Sequence, residues 1–444
     1  MYSKNQVAST PPMGWNSYDY YNTGVTEDEI KKNALYMAKN LKQYGWEYIV
    51  VDIQWSDSNA LSLVPEYQYV PFTHFCIDEW SRQIPSPTRF PSSKGGKGFK
   101  PLADYIHSLG LKFGIHIMRG IPRICAHNHT PVLGAKGITA DKIANPFSIS
   151  KWNGDMYGID CTKDGAQAYY DSIFALYAQW GVDFVKVDDI CNTNMYPQNP
   201  YSAEKEVEAI AKAIENSGRK MVLSLSPGPA IIEKAEHLKK YANMWRITDD
   251  FWDEWRLLKE MFARCALWQD YVGEGSWPDC DMLPLGMLGK GFKAERTTRF
   301  TQDEQQTMMS LWCIFRSPLM IGAELSLLDD KTKNLLTNDE ILILLKESYG
   351  ARQILQGKNT CVWKSYSSKD ECVYVALFNL DDKKNTVSVS AGQLGIELKK
   401  NYCIRDLWNH TEKNAVGLDS KSKIALSAEL NPHGSAVYKI RENL

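Results

Sequence analysis

The chain has 444 residues, which is too long for one ordinary domain and is typical of two. Hydrophobic residues make up 44% of it and charged residues 23%, a globular composition that excludes disordered, collagen-like and coiled-coil proteins. The 51 Lys and Arg residues nearly balance the 53 Asp and Glu residues, so the formal charge of −2 creates no long-range field for nucleic acid or anionic lipid. No apolar run approaches the ~20 residues of a membrane span. We therefore expect neither a nucleic-acid nor a membrane partner.

The N-terminal segment MYSKNQVASTPPMG contains no apolar run of the kind that a secretory signal requires. The expectation is a cytoplasmic protein, or a secreted or periplasmic one whose leader is not part of this chain. The ten cysteines are scattered and include no CxxC pair, so the sequence favours free thiols over a metal cluster.

The first three-quarters of the chain alternates short apolar runs with amphipathic helical patterns. Repeated βα units of this kind predict a (β/α)₈ TIM barrel, and the lack of GxGxxG after a first strand weakens the Rossmann alternative. The helix that begins after Thr26 has Glu29 at capping-box spacing, and helices end at Gly110 and Gly181 just before the next strand. The apolar runs suit strands that are buried on both faces of a parallel sheet; they occupy residues 48–53, 111–117, 183–190, 221–226 and 244–248.

The pattern changes near residue 350, where apolar and polar residues alternate between polar turns. We predict two domains: a catalytic barrel over residues 1–347, and a C-terminal antiparallel β-sandwich over residues 348–444. Two long loops, 56–98 and 119–160, follow predicted strands. Loops at strand C-termini build the active sites of barrels, so these two loops are expected to border the site.

Charged residues gather where the predicted strands end. Most are carboxylates, and a ring of carboxylates supports either a metal site of the enolase type or glycoside hydrolysis by a carboxylate pair. Interleaved Arg and Lys residues disfavour a divalent cation and favour recognition of hydroxyl groups. The strand-end residues are Asp52, His116, Arg119, Lys186, Asp188, Asp189, Arg246, Asp249, Asp250, Asp279 and Asp281.

A second metal candidate is the His127-Asn128-His129 triplet, which resembles the HxH of metal hydrolases. It falls in a Pro-bounded loop away from the first strand, and no second His cluster completes a site. We therefore predict neither a metal nor an organic cofactor.

Seven segments, in order and at comparable spacing, resemble the α-galactosidase (melibiase) family, glycoside hydrolase family 27. This family includes β-L-arabinopyranosidases and α-N-acetylgalactosaminidases, and its C-terminal β-sandwich matches the predicted tail. The segments are PPMGWNSYDYY at 11–21, YIVVDIQW at 48–55, LADYIHSLGLKFGIH at 102–116, VDFVKVDD at 182–189, WRITDDFWDEW at 245–255, WPDCDML at 277–283 and LWCIFRSPLMIGAEL at 311–325.

The resemblance implies a retaining exo-glycosidase that forms a covalent glycosyl-enzyme. The family's K-x-D motif makes Asp188 the nucleophile, with Lys186 contacting sugar hydroxyls. Its R-x-x-x-D motif makes Asp250 the acid/base, with Arg246 holding the 2-position of the sugar. Asp189 and Asp249 are the obvious misassignments, but adjacent side chains on a strand point to opposite faces.

These roles make physical sense. Two carboxyls about 5–5.5 Å apart permit direct attack on the sugar. An ionised Asp188 would raise the pKa of Asp250 by repulsion, and glycosylation of Asp188 would remove that repulsion so that Asp250 could deprotonate water. Lys186 would help to keep Asp188 ionised.

The resemblance also implies which residues line the sugar-binding site. Trp15 and Tyr18 lie where the family packs an aromatic ring against the sugar, although both could instead be core aromatics. Asp52 lies where the family binds the 4-hydroxyl, and His116 replaces a usual Tyr. Trp55, Asp281 and Met282 complete the lining of the sugar-binding site. Asp281 could equally orient Lys186 or Arg246.

Two departures from the family concern specificity. Ile53 replaces the Asp that binds the 6-hydroxyl of galactose, which suits β-L-arabinopyranose because this sugar lacks C6; a partner from loop 56–98 is the alternative. Leu225-Ser226-Pro227 replaces Cys-Glu-Trp, and Ser226 resembles the α-N-acetylgalactosaminidase branch.

Cys125 and Cys191 lie near positions that form a disulfide in some members, though thiols are favoured here.

The sequence thus predicts hydrolysis of terminal α-D-galactosyl or β-L-arabinopyranosyl residues from an oligosaccharide or a polysaccharide side chain. α-N-Acetylgalactosaminidase activity is the alternative within the family. A non-catalytic sugar-binding protein is the alternative class, and exposure of Trp363 or Trp408 would point to sugar binding by the C-terminal domain. The oligomeric state is not predicted.

Overall fold

A computed structural model describes residues 4–61, 75–193, 198–397, 400–415 and 424–442. Part of the predicted loop 56–98, residues 62–74, lies outside the described residues. The chain forms two compact units. The first comprises Met1–Asp250, Glu274–Thr297 and Leu319–Leu328, and the second comprises Phe251–Gly273, Thr298–Pro318 and Asp329–Leu444.

The first unit contains the barrel. Its strands are β1 Met13–Asn16, β2 Tyr48–Val51, β3 Lys112–Met118, β4 Ile121–Pro122, β5 Ala144–Ile149, β6 Met156–Ile159, β7 Phe184–Asp188, β8 Val222–Leu225, β9 Met244–Arg246, β10 Trp277–Asp279, β11 Met287–Leu288, β12 Arg296–Thr297 and β13 Leu319–Ile321. Eight of them form one sheet in the order β10-β9-β8-β7-β3-β2-β1-β13. Their pairings are parallel, and a parallel bridge between Leu283 and Ile321 joins the two edges of the sheet. The predicted barrel is confirmed.

The helices of the first unit are α1 Tyr18–Tyr21, α2 Glu27–Asn40, α3 Lys100–Ser108, α4 Arg123–His127, α5 Ala140–Ile143, α6 Ala166–Trp180, α7 Glu204–Ser217 and α8 Ala235–Tyr241. Thr26 and Glu29 form the expected capping box of α2, and α6 ends at Gly181, which adopts the left-handed conformation at φ 86°. Across the described residues, no helix has both the length and the apolar character needed to cross a membrane.

The segment predicted as the loop 119–160 contains secondary structure of its own. Strands β4, β5 and β6 pair antiparallel in the order β4-β6-β5, and α4 and α5 lie between β4 and β5. The sequence did not indicate these elements because two of the strands have four residues or fewer and β5 pairs with an irregular register. Met156, the first residue of β6 in this inserted sheet, packs against Ile53 and Met118 of the barrel.

The second unit contains helices α9 Trp255–Trp268, α10 Gln302–Phe315, α11 Asp330–Leu336, α12 Asp339–Glu347 and α13 Ala391–Leu394. Its strands are β14 Ser348–Gln356, β15 Thr360–Ser367, β16 Cys372–Asn379, β17 Asn385–Ser390, β18 Tyr402–Asp406, β19 Thr411–Ala415, β20 Ile424–Leu430 and β21 Ser435–Glu442. They form a six-stranded sheet, β14-β15-β16-β21-β18-β19, and the pair β17-β20.

Both sheets of the second unit contribute to one apolar core, which includes Val375 and Leu377 of β16 together with Val387 and Val389 of β17. The predicted β-sandwich is confirmed, and the boundary between residues 347 and 348 stays a prediction. Trp363 is fully buried, and Trp408 is half-buried and donates its indole N–H to Ser310. The Trp363 ring is therefore closed to a sugar, whereas part of the Trp408 ring remains exposed.

Candidate active site

The carboxyl ends of the barrel strands bring the predicted site residues to one edge of the sheet. In the β3–β7 register, His116 lies beside Lys186 and Met118 lies beside Asp188. Arg246 is the last residue of β9 and lies beside Asp279 of β10. Because the strands are parallel, their C-terminal side chains converge at one mouth of the barrel.

Asp52 follows β2 and forms a buried ion pair with Lys186, whose Nζ lies 3.1 Å from Asp52 Oδ2. The Asp52 carboxylate also accepts hydrogen bonds from the Asn16 side chain at 2.6 Å and from the Ile53 backbone N–H at 2.9 Å. Burial would raise the pKa of Asp52, but Lys186 and His116 outweigh that effect and hold the pKa below its ordinary value. Asp52 is therefore an ionised acceptor, as binding of a sugar hydroxyl requires.

Asp188, the predicted nucleophile, is held by His116. The His116 Nε2 atom lies 3.0 Å from Asp188 Oδ2. Burial would raise the pKa of Asp188, but the hydrogen bond and charge of His116, followed by the charges of Lys186 and Arg246, lower it well below its ordinary value. Asp188 is thus an ionised carboxylate, and 14% of its side chain is exposed at the mouth. This is the state that nucleophilic attack requires.

The neighbouring Asp189 points away from the mouth. Its side chain is 2% exposed and forms an ion pair with Arg119 at 2.9 Å, and Arg119 in turn contacts Glu206 at 2.9 Å. Asp189 has φ 56°, so the chain turns sharply at the end of β7. Burial raises the pKa of Asp189 to about 7, against the opposing effect of Arg119. Asp189 and Arg119 therefore belong to a buried network outside the mouth.

Arg246 connects the predicted acid/base with Asp281. Its Nη2 atom lies 3.0 Å from Asp250 Oδ1, and its Nη1 atom lies 2.9 Å from Asp281 Oδ1. Burial would lower the pKa of Arg246, but Asp281 and Asp250 raise it, so the guanidinium stays charged. The Asp281 side chain is 9% exposed, whereas that of Asp250 is 64% exposed. The sequence allowed Asp281 either to contact the sugar or to orient a neighbouring cation. Its contact with Arg246 is the one that the second role requires.

Asp250 and Asp249 both lie at the surface of the first unit, after β9. The Asp249 carboxylate accepts the Asp250 backbone N–H at 3.0 Å, whereas the Asp250 carboxylate is bound by Arg246. Asp250 is thus the residue of this pair that a fixed cation orients.

Two further carboxyls near the mouth have raised pKa values. Burial, followed by the charge of Asp281, raises the pKa of Asp279 to about 7. The same two causes raise the pKa of Asp19 well above its ordinary value. Asp19 is 4% exposed, and within the described part of the chain its Oδ2 atom has no hydrogen-bond partner. Burial therefore disfavours the ionised form of Asp19.

Three predicted binding residues are more deeply buried than the sequence suggested. Trp15 is 0% exposed and donates its indole N–H to the Ala323 carbonyl at 2.6 Å. Trp55 is 2% exposed and binds the His116 carbonyl at 2.6 Å, and Ser226 is 0% exposed. Asp52 and His116 are buried to a similar depth, at 2% and 1%, so burial does not separate these three side chains from the rest of the site, and their contact with the sugar stays a prediction. A strand-end position fixes the side-chain direction but not its depth.

Tyr18 and Met282 remain candidates for the lining of the sugar-binding site. Tyr18 is half-buried, and its ring meets the edge of Phe292 with centroids 5.6 Å apart. Met282 is 7% exposed and follows Asp281 at the end of the β10 segment. Tyr18 is the predicted aromatic that keeps substantial exposed surface.

Ile53 lies in an apolar cluster that the sequence did not indicate. Ile53, Met118 and Met156 are in mutual contact with exposed fractions of 3%, 8% and 6%, and we call these three residues the apolar wall. Tyr18, Phe75 and Trp152 pack against them. Since Met118 lies beside Asp188 in the sheet register, the apolar wall borders the nucleophile. Where the sequence resemblance expects a carboxylate, the structure has hydrocarbon and thioether groups.

The described residues contain one group spaced to hold a metal ion, Glu204, Glu208 and His237, which lie on α7 and α8. Lys234 and Lys205 form ion pairs with the two glutamates. The His127-Asn128-His129 segment is exposed, and His129 contacts Asp141 at 3.0 Å. Neither set includes a residue of the barrel mouth.

Cys125 and Cys191 are both free thiols. Burial raises the pKa of the Cys125 thiol to about 11 and that of the Cys191 thiol to about 12. The favoured reading, thiols rather than a disulfide, agrees with this state.

Comparison with known proteins decides the family. The chain is 52% identical to the β-L-arabinopyranosidase of glycoside hydrolase family 27 from Geobacillus stearothermophilus, with 98% of this chain and 97% of that one covered and a TM-score of 0.92. The chain belongs to glycoside hydrolase family 27. Models of this family's α-galactosidase A and of its C-terminal β-sandwich domain match residues 149–347 and 357–440.

Other members of family 27 are similar over the same length. A structure from Bacillus halodurans, proposed to be an α-N-acetylgalactosaminidase, is 47% identical, covers 98% of this chain and 97% of its own, and has a TM-score of 0.85. The α-galactosidase of Cyamopsis tetragonoloba is 26% identical over 98% of this chain and 87% of its own length. As a member of family 27, this protein is a glycoside hydrolase.

The structure also shows which residues of this family 27 site the sequence missed. Met118 could have been found, because it ends a strand that already carried His116. Met156 could not, since it belongs to the inserted sheet. Asp19 lies in the segment at 11–21 that carries the family resemblance, but nothing in that segment indicates that its carboxyl is buried.

Proposed function

We propose that this glycoside hydrolase is a retaining exo-glycosidase whose preferred substrate is a terminal β-L-arabinopyranosyl residue on an oligosaccharide or a polysaccharide side chain. Asp188 is the nucleophile and Asp250 is the acid/base. The observation that carries the choice of sugar is the apolar wall beside the nucleophile.

In the first step, Asp188 attacks the anomeric carbon while Asp250 gives its proton to the departing glycosidic oxygen. In the second step, Asp250 takes a proton from water, which attacks the same carbon and releases Asp188. The charges support these roles, because Asp188 is buried against His116 and Lys186 and stays ionised. Asp250 is exposed, so it can reach a leaving group that extends into solvent.

Asp52 and Lys186 form the polar side of the site. Their ion pair presents an ionised acceptor and a three-proton donor within 3.1 Å of each other, an arrangement suited to neighbouring sugar hydroxyls. Arg246, fixed by Asp250 and Asp281, provides a second donor. Met282 follows Asp281, and Tyr18 offers an aromatic face.

The apolar wall selects against a hydroxymethyl group. A buried hydroxyl without a partner costs about 1–3 kcal/mol, which corresponds to roughly 5- to 150-fold in specificity. β-L-Arabinopyranose has the ring configuration of α-D-galactose but no C6, so it loses nothing against Ile53. The similarity to the Geobacillus stearothermophilus β-L-arabinopyranosidase supports the same choice.

α-D-Galactoside is the second candidate, because the Cyamopsis tetragonoloba relative is an α-galactosidase. It would require a partner for the 6-hydroxyl from loop 56–98. An α-N-acetylgalactosaminide is the third candidate, because the Bacillus halodurans relative is proposed to be an α-N-acetylgalactosaminidase.

Hydrolysis of the nitrophenyl β-L-arabinopyranoside, α-D-galactopyranoside and α-N-acetylgalactosaminide tests the proposal. We expect kcat/KM to favour the arabinopyranoside over the galactoside by tenfold or more, about 1.4 kcal/mol. Proton NMR of the first product should show the anomer of the substrate. A faster galactoside, or the inverted anomer, would contradict the proposal.

A further inference from the structure

The second unit has a cavity of its own. Its volume is about 540 Å³, which lies within the range of small-molecule binding sites. One side comes from the N-terminal part of α10, another from α11 and the residues that flank it, and a third from the turn between β18 and β19, which contributes Trp408 and His410. All of the described residues that line it belong to the second unit. We call this cavity the Trp408 cavity.

The Trp408 ring is held in one orientation at the side of this cavity. Its indole N–H donates to Ser310 Oγ at 2.9 Å, and Ser310 is 1% exposed. The Ser310 hydroxyl in turn donates to the Gln306 backbone carbonyl at 2.7 Å. The ring itself is half-buried and keeps part of its surface for the cavity. A ring that is already fixed loses little freedom when a ligand packs on it.

Side-chain amides dominate the rest of the lining. Five of the 13 lining residues carry one, namely Gln302, Gln305, Gln306, Asn334 and Asn338. Gln305 and Gln306 donate their amide N–H groups to the backbone carbonyls of Phe300 and Ser435, at 2.9 and 2.8 Å. Within the described residues, no donor reaches either amide oxygen, so both oxygens remain as acceptors. Asn334 is exposed and offers both kinds of group.

The charged residues of the lining give the cavity no strong field. Asp329 accepts the Thr332 backbone N–H at 2.7 Å as the cap of α11, and His410 contacts Glu340 at 2.6 Å. The remaining two, Lys331 and Asp339, carry opposite charges. An anion or a cation would therefore find no cluster of opposite charge in this cavity.

We propose that the Trp408 cavity is a second carbohydrate-binding site, which takes an uncharged pyranose of a polysaccharide. A pyranose has an apolar C–H face, which packs on an aromatic ring, and hydroxyl groups that both donate and accept hydrogen bonds. The fixed ring and the amides match these two properties. A purely apolar ligand would leave the amides buried without partners. The inference concerns binding and does not depend on which terminal sugar the enzyme hydrolyses.

Native electrophoresis through gels that contain dissolved polysaccharide measures this binding. The full chain carries Asp188→Asn, so that the polysaccharide is not hydrolysed during the run. The gels contain arabinogalactan, galactomannan or the polyanion polygalacturonate. We expect at least one of the two neutral polysaccharides to retard the protein. Retardation by neither of them, or by polygalacturonate alone, overturns the inference.

Trp408→Ala in the same background separates this site from the barrel mouth. It should raise the dissociation constant for the neutral polysaccharide by about tenfold or more, because the aromatic face is lost. Tyr349→Ala is the matched control, since Tyr349 is a 54% exposed aromatic residue of the same unit that does not line the cavity. It should leave the dissociation constant unchanged. Equal retardation of Trp408→Ala and its parent overturns the inference.

Asn334→Ala tests the same cavity without removing the anchored ring, should Trp408→Ala fail to fold. Since Asn334 is exposed, the change leaves the core intact and should still weaken the retardation. Retardation equal to that of the parent overturns the inference. Sedimentation velocity detects another occupant: a dimer that dissociates in either variant would mean that a second copy of the chain fills the cavity, which also overturns it. Failure of the proposed function would appear separately, as absent hydrolysis of the nitrophenyl glycosides by the wild type.

Discussion

His116 Nε2 and Asp188 Oδ2 are 3.0 Å apart on adjacent barrel strands, with the imidazole 1% exposed. The hydrogen bond therefore lies in a protected place, where it acts strongly on the nucleophile. Lys186 lies beside His116 in the sheet and binds Asp52. One strand pair thus supplies the nucleophile together with the His116 hydrogen bond and the Lys186 charge that keep it ionised.

Removal of the imidazole should make the nucleophile harder to ionise. In His116→Phe the pKa of Asp188 rises, so the acidic limb of kcat/KM, which reports the free enzyme's essential base, should move to higher pH by about one unit or more. His116→Gln keeps a donor and should shift the limb less. The measurement is kcat/KM on the nitrophenyl β-L-arabinopyranoside from pH 8 down to the lowest pH at which both proteins stay folded. Identical acidic limbs in wild type and His116→Phe would show that His116 does not stabilise the carboxylate.

The two catalytic carboxylates should respond differently to the leaving group. Asp188→Asn removes the nucleophile, so turnover should fall by about 10³-fold or more on any glycoside. Asp250→Asn removes the proton donor of the first step, so the loss of kcat/KM should be much smaller on a dinitrophenyl glycoside, whose dinitrophenolate departs without protonation. The measurement is kcat/KM for each variant on a nitrophenyl and a dinitrophenyl substrate.

Asp249→Asn is the matched control for Asp250→Asn, because Asp249 is the exposed neighbour that Arg246 does not contact in the described structure. It should retain kcat within a few-fold of wild type. Loss of activity in Asp249→Asn with retention in Asp250→Asn would reverse the assignment of the acid/base.

The buried Asp19 carboxyl should lower the free energy of unfolding at neutral pH. Its pKa is raised in the folded state by burial and by Asp281, so folding takes up a proton once the unfolded carboxyl is ionised. The free energy of unfolding therefore falls as pH rises from about 4 towards the folded-state pKa. Asp19→Asn removes this proton uptake, so the variant should be more stable than wild type at pH 7.

Urea unfolding at pH 4, 5.5 and 7 measures the Asp19 effect. The gain from Asp19→Asn should increase with pH, while Asp164→Asn, a change at an exposed turn before α6, should give no such trend. A gain that is the same at every pH would show that packing, and not ionisation, is responsible.

The sequence predicted the barrel because strand ends are local features. Alternation along β7 puts Lys186 and Asp188 on one face of the strand, and the turn at Asp189, with φ 56°, directs that carboxylate to Arg119 instead. The depth of a side chain depends on what packs over it. Trp15 and Ser226 are buried for that reason, which no local pattern could indicate.

The apolar wall was partly visible in the sequence. Ile53 was identified by the carboxylate it replaces, but its neighbours were not. Met156 packs in the same cluster as Ile53 although it belongs to the inserted sheet, and the short strands of that sheet leave a weak signal in the sequence. Specificity residues on insertions are therefore harder to predict than catalytic residues on barrel strands.

Ile53→Asp should lower the stability of the protein and raise its relative activity on galactosides. The carboxylate would provide an acceptor for a 6-hydroxyl, so the galactoside-to-arabinopyranoside ratio of kcat/KM should rise about tenfold or more. The same carboxylate would lie against Met118 and Met156 and next to ionised Asp52, so the free energy of unfolding should fall by about 2–4 kcal/mol. Ile53→Asn, neutral and of the same shape as the Asp variant, should lose less stability and gain less galactoside activity. The measurements are the two kcat/KM values and urea unfolding at pH 7. A folded Ile53→Asp with the wild-type ratio would mean that another residue contacts C6.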